Sequence, residues 1–87
     1  MTRSFSHRIM TEDINRENIL AIADKHFDCY TWTAHNGRYK GKHEASLTIE
    51  VIGGSYADAL RVAEEIKVAN HQDSVLIFSV NGKSTSI

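Results

Sequence analysis

A strand–helix–strand–strand–helix–strand order predicts an α+β domain of the ferredoxin-like βαββαβ class. Its sheet is four-stranded and antiparallel, with two helices on one face. Two observations carry this prediction. Two segments repeat apolar residues at helical spacing, and four others alternate with a period near two. Each helical segment also lies between two of the strand segments, as a pair of βαβ crossovers requires. Right-handed crossovers put both helices on one face and give the strand order 4-1-3-2. The fourth and second strands are then edges. The 87 residues are read as one domain, 1–87.

The first strand is placed at residues 4–11 (SFSHRIMT), which alternate weakly. Asn15 then offers a helix cap, with Ile14 and Ile19 spaced as a hydrophobic staple. Ile19, Ile22, Ala23 and Phe27, with Leu20 at the margin, form a helical stripe to about residue 27. Residues 29–35 (CYTWTAH) are β-branched and aromatic, a second strand in which Cys29 reads as a small buried hydrophobe. Residues 45–52 (ASLTIEVI) alternate cleanly, with Leu47, Ile49 and Val51 on one face and Ser46, Thr48 and Glu50 on the other. Gly53-Gly54 ends that strand. Ser55 caps a second helix, with Asp58 where a capping box usually has Glu. Tyr56, Ala59, Leu60, Val62, Ala63 and Ile66 give its apolar face, and Glu64, Glu65 and Lys67 its wet one. Asn70 to Asp73 turn the chain into a last strand, 74–80 (SVLIFSV). The polar segment 81–87 is expected to be a flexible tail.

Composition narrows the class of function. Hydrophobic residues make up 41% and charged residues 24%, as in a globular protein. A net charge of −1 gives no broad basic footprint for nucleic acid. A single cysteine excludes an internal disulfide framework and a cysteine-rich zinc site. A reduced, cytoplasmic setting follows (host cytoplasm if the chain is phage-encoded). No run approaches the roughly 20 apolar residues of a spanning helix, and Met1 to Ser6 holds no apolar stretch of signal-peptide length. No membrane partner and no cofactor are expected.

The last strand is apolar on both faces, through Val75 and Ile77 on one and Leu76 and Phe78 on the other. A sheet apolar on both faces needs cover on both. The expected cover is another copy of the chain, and a homo-oligomer follows.

The segment His35 to Ser46 is expected to be a long, chemically loaded loop between the second and third strands. Tyr39 stands between Gly37 and Gly41, where it can stack on a ligand and donate a hydrogen bond, or simply anchor the loop. Lys40 and Lys42 can meet a small anion. Glu44 and Ser46 can reach a ligand held by the loop, or Glu44 can pair with Lys40 or Lys42. Glu50 is either a solvated strand carboxylate or, under a neighbouring subunit, a partly desolvated functional one. His35 and His43 flank the loop, but their spacing with Glu44 matches no strong metal signature, and no metal is expected. Asn36-Gly37 is a competing tight-turn dipeptide, which would make Tyr39 and His43 plain strand residues.

The string Gly37-x-Tyr39-x-Gly41-x-x-Glu44-x-Ser46, then Ile49-Glu50, then Asn70-x-Gln72, resembles small phage-type proteins of the PII-like trimers over residues 4–80. Some members of that group cleave S-adenosylmethionine or its adenylated conjugate. The resemblance implies a trimer with adenosyl-ligand sites between subunits. It also implies a reaction in which the ligand's own carboxylate attacks its γ-carbon, the C–S bond breaks, and methylthioadenosine and homoserine lactone leave. In that chemistry Glu50 holds the sulfonium side and Tyr39 orients the carboxylate or ribose. Ser46, Gln72 and Glu44 bind the ligand, and Lys40 or Lys42 meets a phosphate if one is present. Two other functions stay open: a non-enzymatic nucleotide-binding regulator, and a phage inhibitor acting through its 36–44 loop.

Overall fold

The computed structural model describes the backbone of residues 2–84 and the side chains of residues 6–80. The elements are β1 (Thr2–Glu12), α1 (Arg16–His26), β2 (Thr31–Tyr39), β3 (Lys42–Ile52), α2 (Tyr56–Ala69) and β4 (Leu76–Ser84). They form one antiparallel sheet in the order β2-β3-β1-β4, which is the expected ferredoxin-like arrangement. Ile9 from β1 and Leu47, Ile49 and Val51 from β3 pack against Ile19, Ile22 and Ala23 of α1 and Ala59, Val62 and Ile66 of α2. All are 7% exposed or less, so the alternation in β3 and the helical stripes close on a single core.

The two helices start differently. At α2, Ser55 Oγ accepts a hydrogen bond from the Asp58 N–H at 3.1 Å, as a cap should. The Asp58 carboxylate does not return the bond and lies 3.6 Å from Arg61. At α1, Asn15 is the cap by position only. Its φ of 54° is left-handed, and its side chain makes no cap bond. That amide is instead 3.4 Å from the Asn70 amide, whose Nδ2 donates to the Ile14 carbonyl at 2.9 Å and ties the two interhelical corners together.

The expected loop between the second and third strands is a β-hairpin. Strands β2 and β3 pair from Thr31–Glu50 to Tyr39–Lys42, and only Lys40 and Gly41 turn the chain. Both have positive φ, 51° and 78°, the signature of a primed two-residue turn. Register selects this turn over Asn36-Gly37. A turn at Asn36-Gly37 would put Trp32 opposite Gly41, whereas the observed one pairs Trp32 with Ile49 and Ala34 with Leu47. Residues 36–44 are therefore ordered strand and turn. They project as a two-stranded ribbon beyond β1, which pairs with β3 only over Ser46–Ile52.

Three further expectations shift. Strand β4 continues past Val80, so Asn81 to Ser84 pair with β1 instead of forming a tail; residues 85–87 lie outside the described residues. Cys29 is exposed, because β2 begins two residues later at Thr31. Tyr56 and Leu60, assigned to the apolar face of the second helix, are 54% and 39% exposed. No helix among the described residues is long and apolar enough to cross a membrane.

Candidate functional site

The sheet face away from the helices is organised by cross-strand rows. One row holds Thr31, Glu50, Arg8 and Phe78; the next Thr33, Thr48, Met10 and Leu76; the next His35, Ser46 and Glu12. Beyond β1, the ribbon adds Gly37 opposite Glu44 and Tyr39 opposite Lys42. Leu76, Phe78 and Val80 of β4 and Ile52 of β3 are 56–69% exposed, so this face is apolar along one side, as the sequence predicts.

A cleft of about 300 Å³ opens where β1 ends. Gly37, Glu44, Ser46, Glu12, Gln72 and Ser74 line it, with Met10 and Leu76 as its apolar side. Three expected ligand residues, Glu44, Ser46 and Gln72, thus meet in one place although they come from β3 and the turn before β4. Gly37 helps to open it, because a side chain there would project from the same face as Glu44 and into the cleft.

Gln72 is 9% exposed and held from two sides. Its Oε1 accepts from the Thr11 hydroxyl at 2.9 Å and from the Glu12 N–H at 3.3 Å. A backbone N–H can only donate, so this fixes which end of the amide is oxygen. Its Nε2 is buried without a hydrogen-bond partner among the described residues. Such an unsatisfied donor is uncommon in a folded protein and costly to leave.

The electrostatics of the cleft are one-sided. The expected pairing of Glu44 with Lys40 or Lys42 is not made, and Glu12 is also without an ion pair among the described residues. Lys40 Nζ lies over the Tyr39 ring, 5.3 Å from its centroid. Arg38 borders the cleft, but its register points its side chain to the other face of the ribbon, where the guanidinium donates to the Gly41 carbonyl.

The remaining expected residues lie apart. Tyr39, 62% exposed, and Lys42 sit on the same face toward the tip of the ribbon. Glu50 occupies a second depression of about 280 Å³ with Arg8, Thr31, Thr33, His35 and Thr48. Four strand positions separate it from Ser46, roughly 13 Å. Its carboxylate accepts from Arg8 Nε at 2.6 Å, so it is a paired charge. His35 and His43 do not meet. His35 bonds Thr48 Oγ1 at 2.9 Å on the open face, and His43 bonds Asn36 Oδ1 at 2.8 Å on the other. No group of three or more His, Cys, Asp or Glu able to hold a metal occurs among the described residues.

Glu12 and Arg8 are the site residues that the sequence reading missed. Arg8 follows from register alone, since β1 pairs it with Glu50. Glu12 lies one residue past the expected end of the first strand, and only its pairing with Ser46 brings it to the cleft.

No protein-family model matches the chain, and no match is found among curated proteins. Solved structures do match it. A nitrogen regulatory PII-like protein from Thiomonas intermedia, bound to ADP, AMP and bicarbonate, superposes with a TM-score of 0.67 at 14% identity, over 99% of this chain and 97% of that one. The GlnK–ATP complex of B. subtilis gives 0.68 at 16% identity, over 91% and 81%. A phage S-adenosylmethionine lyase in its apo state gives 0.65 at 22% identity, over 88% and 79%. The protein therefore has a PII-like ferredoxin fold and resembles, among others, a phage S-adenosylmethionine lyase. At these identities the likeness concerns the fold.

Proposed function

We propose that the protein is a lyase that cleaves an adenosyl-sulfonium ligand, S-adenosylmethionine or its adenylated conjugate, in a phage anti-defence role in the host cytoplasm. The observation that carries this reading is the meeting of Gly37, Glu44, Ser46 and Gln72 in one cleft, residues picked out by a motif that resembles such enzymes. The likeness to a phage S-adenosylmethionine lyase supports it. The reaction needs a folded ligand and a fixed electrostatic environment more than a protein nucleophile. Ser46, Gln72 and Glu44 bind the nucleoside end. Tyr39, further along the same face, orients the attacking carboxylate. Glu50, held by Arg8, stands beside the sulfonium from a neighbouring copy of the chain, since the apolar face that carries it is the face a second copy would cover. Lys40 and Lys42 at the ribbon tip meet the phosphate of an adenylated ligand. A trimer suits this sharing of residues.

A non-enzymatic nucleotide-binding regulator is the second reading, favoured by the ADP- and ATP-bound neighbours. Incubation with S-adenosylmethionine, and separately with its adenylated conjugate, separates the two by mass spectrometry. Release of methylthioadenosine or its adenylated form is expected. Glu50→Gln should lower turnover by about 100-fold, the scale of removing one transition-state electrostatic contact, while the assembly keeps its mass. Absence of release from both compounds would retire the lyase reading.

A further inference from the structure

We infer that Ser79, His7 and the Gly54 carbonyl form an acyl-transfer site in which Ser79 is the nucleophile toward small esters. The site lies apart from the cleft at the end of β1 and from Glu50, and it stands independently of the lyase reading.

Register builds it. β1 pairs His7 with Ser79 of the edge strand β4 and, on its other side, with Val51, three residues before Gly54. His7 shares the helix-side face of β1 with the core residue Ile9, so Ser79 points away from the apolar face that carries Phe78 and Val80. A copy covering that face leaves Ser79 open. His7 is 2% exposed, whereas Ser79 is exposed to solvent.

Two hydrogen bonds set the roles. His7 Nε2 lies 2.9 Å from the Gly54 carbonyl oxygen, and His7 Nδ1 lies 2.7 Å from Ser79 Oγ. A carbonyl only accepts, so Nε2 carries the proton. In the neutral ring Nδ1 is then an acceptor, and the Ser79 hydroxyl donates to it. A hydroxyl bonded to a base that a third group orients is the arrangement of an activated nucleophile. The third group is itself held in place. A side chain at Gly54 would meet Val51 Cγ1 at 2.6 Å, so the backbone there packs directly on the core. The Tyr56 ring, 6.0 Å from the imidazole, is an apolar neighbour for a small acyl group.

The chemistry balances without another reactant. Ser79 Oγ attacks the ester carbonyl carbon while its proton moves to His7 Nδ1. The C–O bond to the alcohol breaks, and the alcohol leaves with that proton. Water then attacks the acyl-serine, passes a proton through His7 to Ser79 Oγ, and releases the carboxylic acid. Ser79 stands on an open strand, so the ester it fits is small and approaches from solvent.

The intact chain is treated with an alkyl fluorophosphonate, which labels activated serines as fluoride leaves, and the adduct is mapped by peptide mass spectrometry. Ser79 is expected to outpace every other serine by about tenfold or more, and this preference should vanish in concentrated urea because it comes from the fold. His7→Gln should slow labelling of Ser79 by about 100-fold, the scale of a positioned base, with an unchanged circular dichroism spectrum. If that variant does not fold, the urea comparison carries the same test. With 4-nitrophenyl acetate, Ser79→Ala should release 4-nitrophenol several-fold more slowly than the native protein. No preference for Ser79, a preference that survives in urea, or equal release by the native protein and Ser79→Ala overturns the inference.

Discussion

Tyr30 shows how one side chain sets a pH limit on this fold. Its ring packs edge-on to Phe27 at 6.4 Å, and its hydroxyl donates to Asp24 Oδ1 at 2.6 Å, with the Leu20 carbonyl at 3.3 Å. Burial, then the hydrogen bond to Asp24 and its negative charge, push the phenol up to about 12. The folded state thus holds this proton more tightly than the unfolded chain does. The resulting stability is fully present below pH 10 and is lost as pH rises from 10 toward 12. Urea midpoints across that window should fall steeply for the native protein and less steeply for Tyr30→Phe. At neutral pH the same variant should lose roughly 1 kcal/mol, the usual worth of a hydrogen bond. Equal alkaline slopes for the two proteins would mean that Tyr30 does not carry this effect. Glu65 acts with the opposite sign. Hydrogen bonds from Lys25 and then His26 hold its carboxyl below the usual range, so its contribution is lost as the solution is acidified.

At the scale of elements, the hairpin is where local preference and global pairing disagree. Asn36-Gly37 is the better turn dipeptide by composition, yet the chain turns at Lys40-Gly41, in the register that sets Trp32 opposite Ile49 and Ala34 opposite Leu47 on the helix-side face of the sheet. Lys40 then carries a left-handed φ of 51°, a conformation that asparagine adopts more readily than lysine. Lys40→Asn should raise thermal stability by roughly 0.5 kcal/mol, and Gly41→Ala, at φ 78°, should cost about 1 kcal/mol. Differential scanning calorimetry reads both, and a stabilised Gly41→Ala variant would contradict the turn. The elements whose information is local were legible in the sequence. The β3 alternation, the α2 stripe and the Ser55 cap each depend on neighbours a few residues away. The extent of β2 was not, because the pairing of residues 36–39 with 42–45 follows from a register shared with the distant Trp32–Ile49 and Thr31–Glu50 pairs, and the left-handed Asn15 answers to Asn70 across the helix layer. The site divides the same way. Glu44, Ser46 and Gln72 were visible as a motif, whereas Glu12 entered the cleft, and Arg8 the Glu50 pair, through register alone.

For the whole molecule the open face decides the state of assembly. The helices cover one side of the sheet, and on the other Leu76, Phe78, Val80 and Ile52 stay more than half exposed around the Arg8–Glu50 pair. An 87-residue chain has little core to spare, and leaving a contiguous apolar strip in water is the usual mark of an interface. Covering each half-exposed side chain is worth about 1 kcal/mol, so copies sharing this face gain several kcal/mol per contact before ordering costs. The same contact would desolvate Arg8 and Glu50 together, which a matched ion pair tolerates and a lone carboxylate would not. Sedimentation velocity at tens of micromolar should therefore give an oligomer, with the trimer as the expected species. Phe78→Asp should shift it to the monomer by removing the apolar ring and placing a second carboxylate beside the Arg8–Glu50 pair in the seam. Phe78 is 57% exposed and outside the core cluster, so the circular dichroism spectrum of the variant should not change. A native protein that sediments as a monomer at that concentration would remove the shared face, and with it the proposed route for Glu50 to a ligand in a neighbour's cleft.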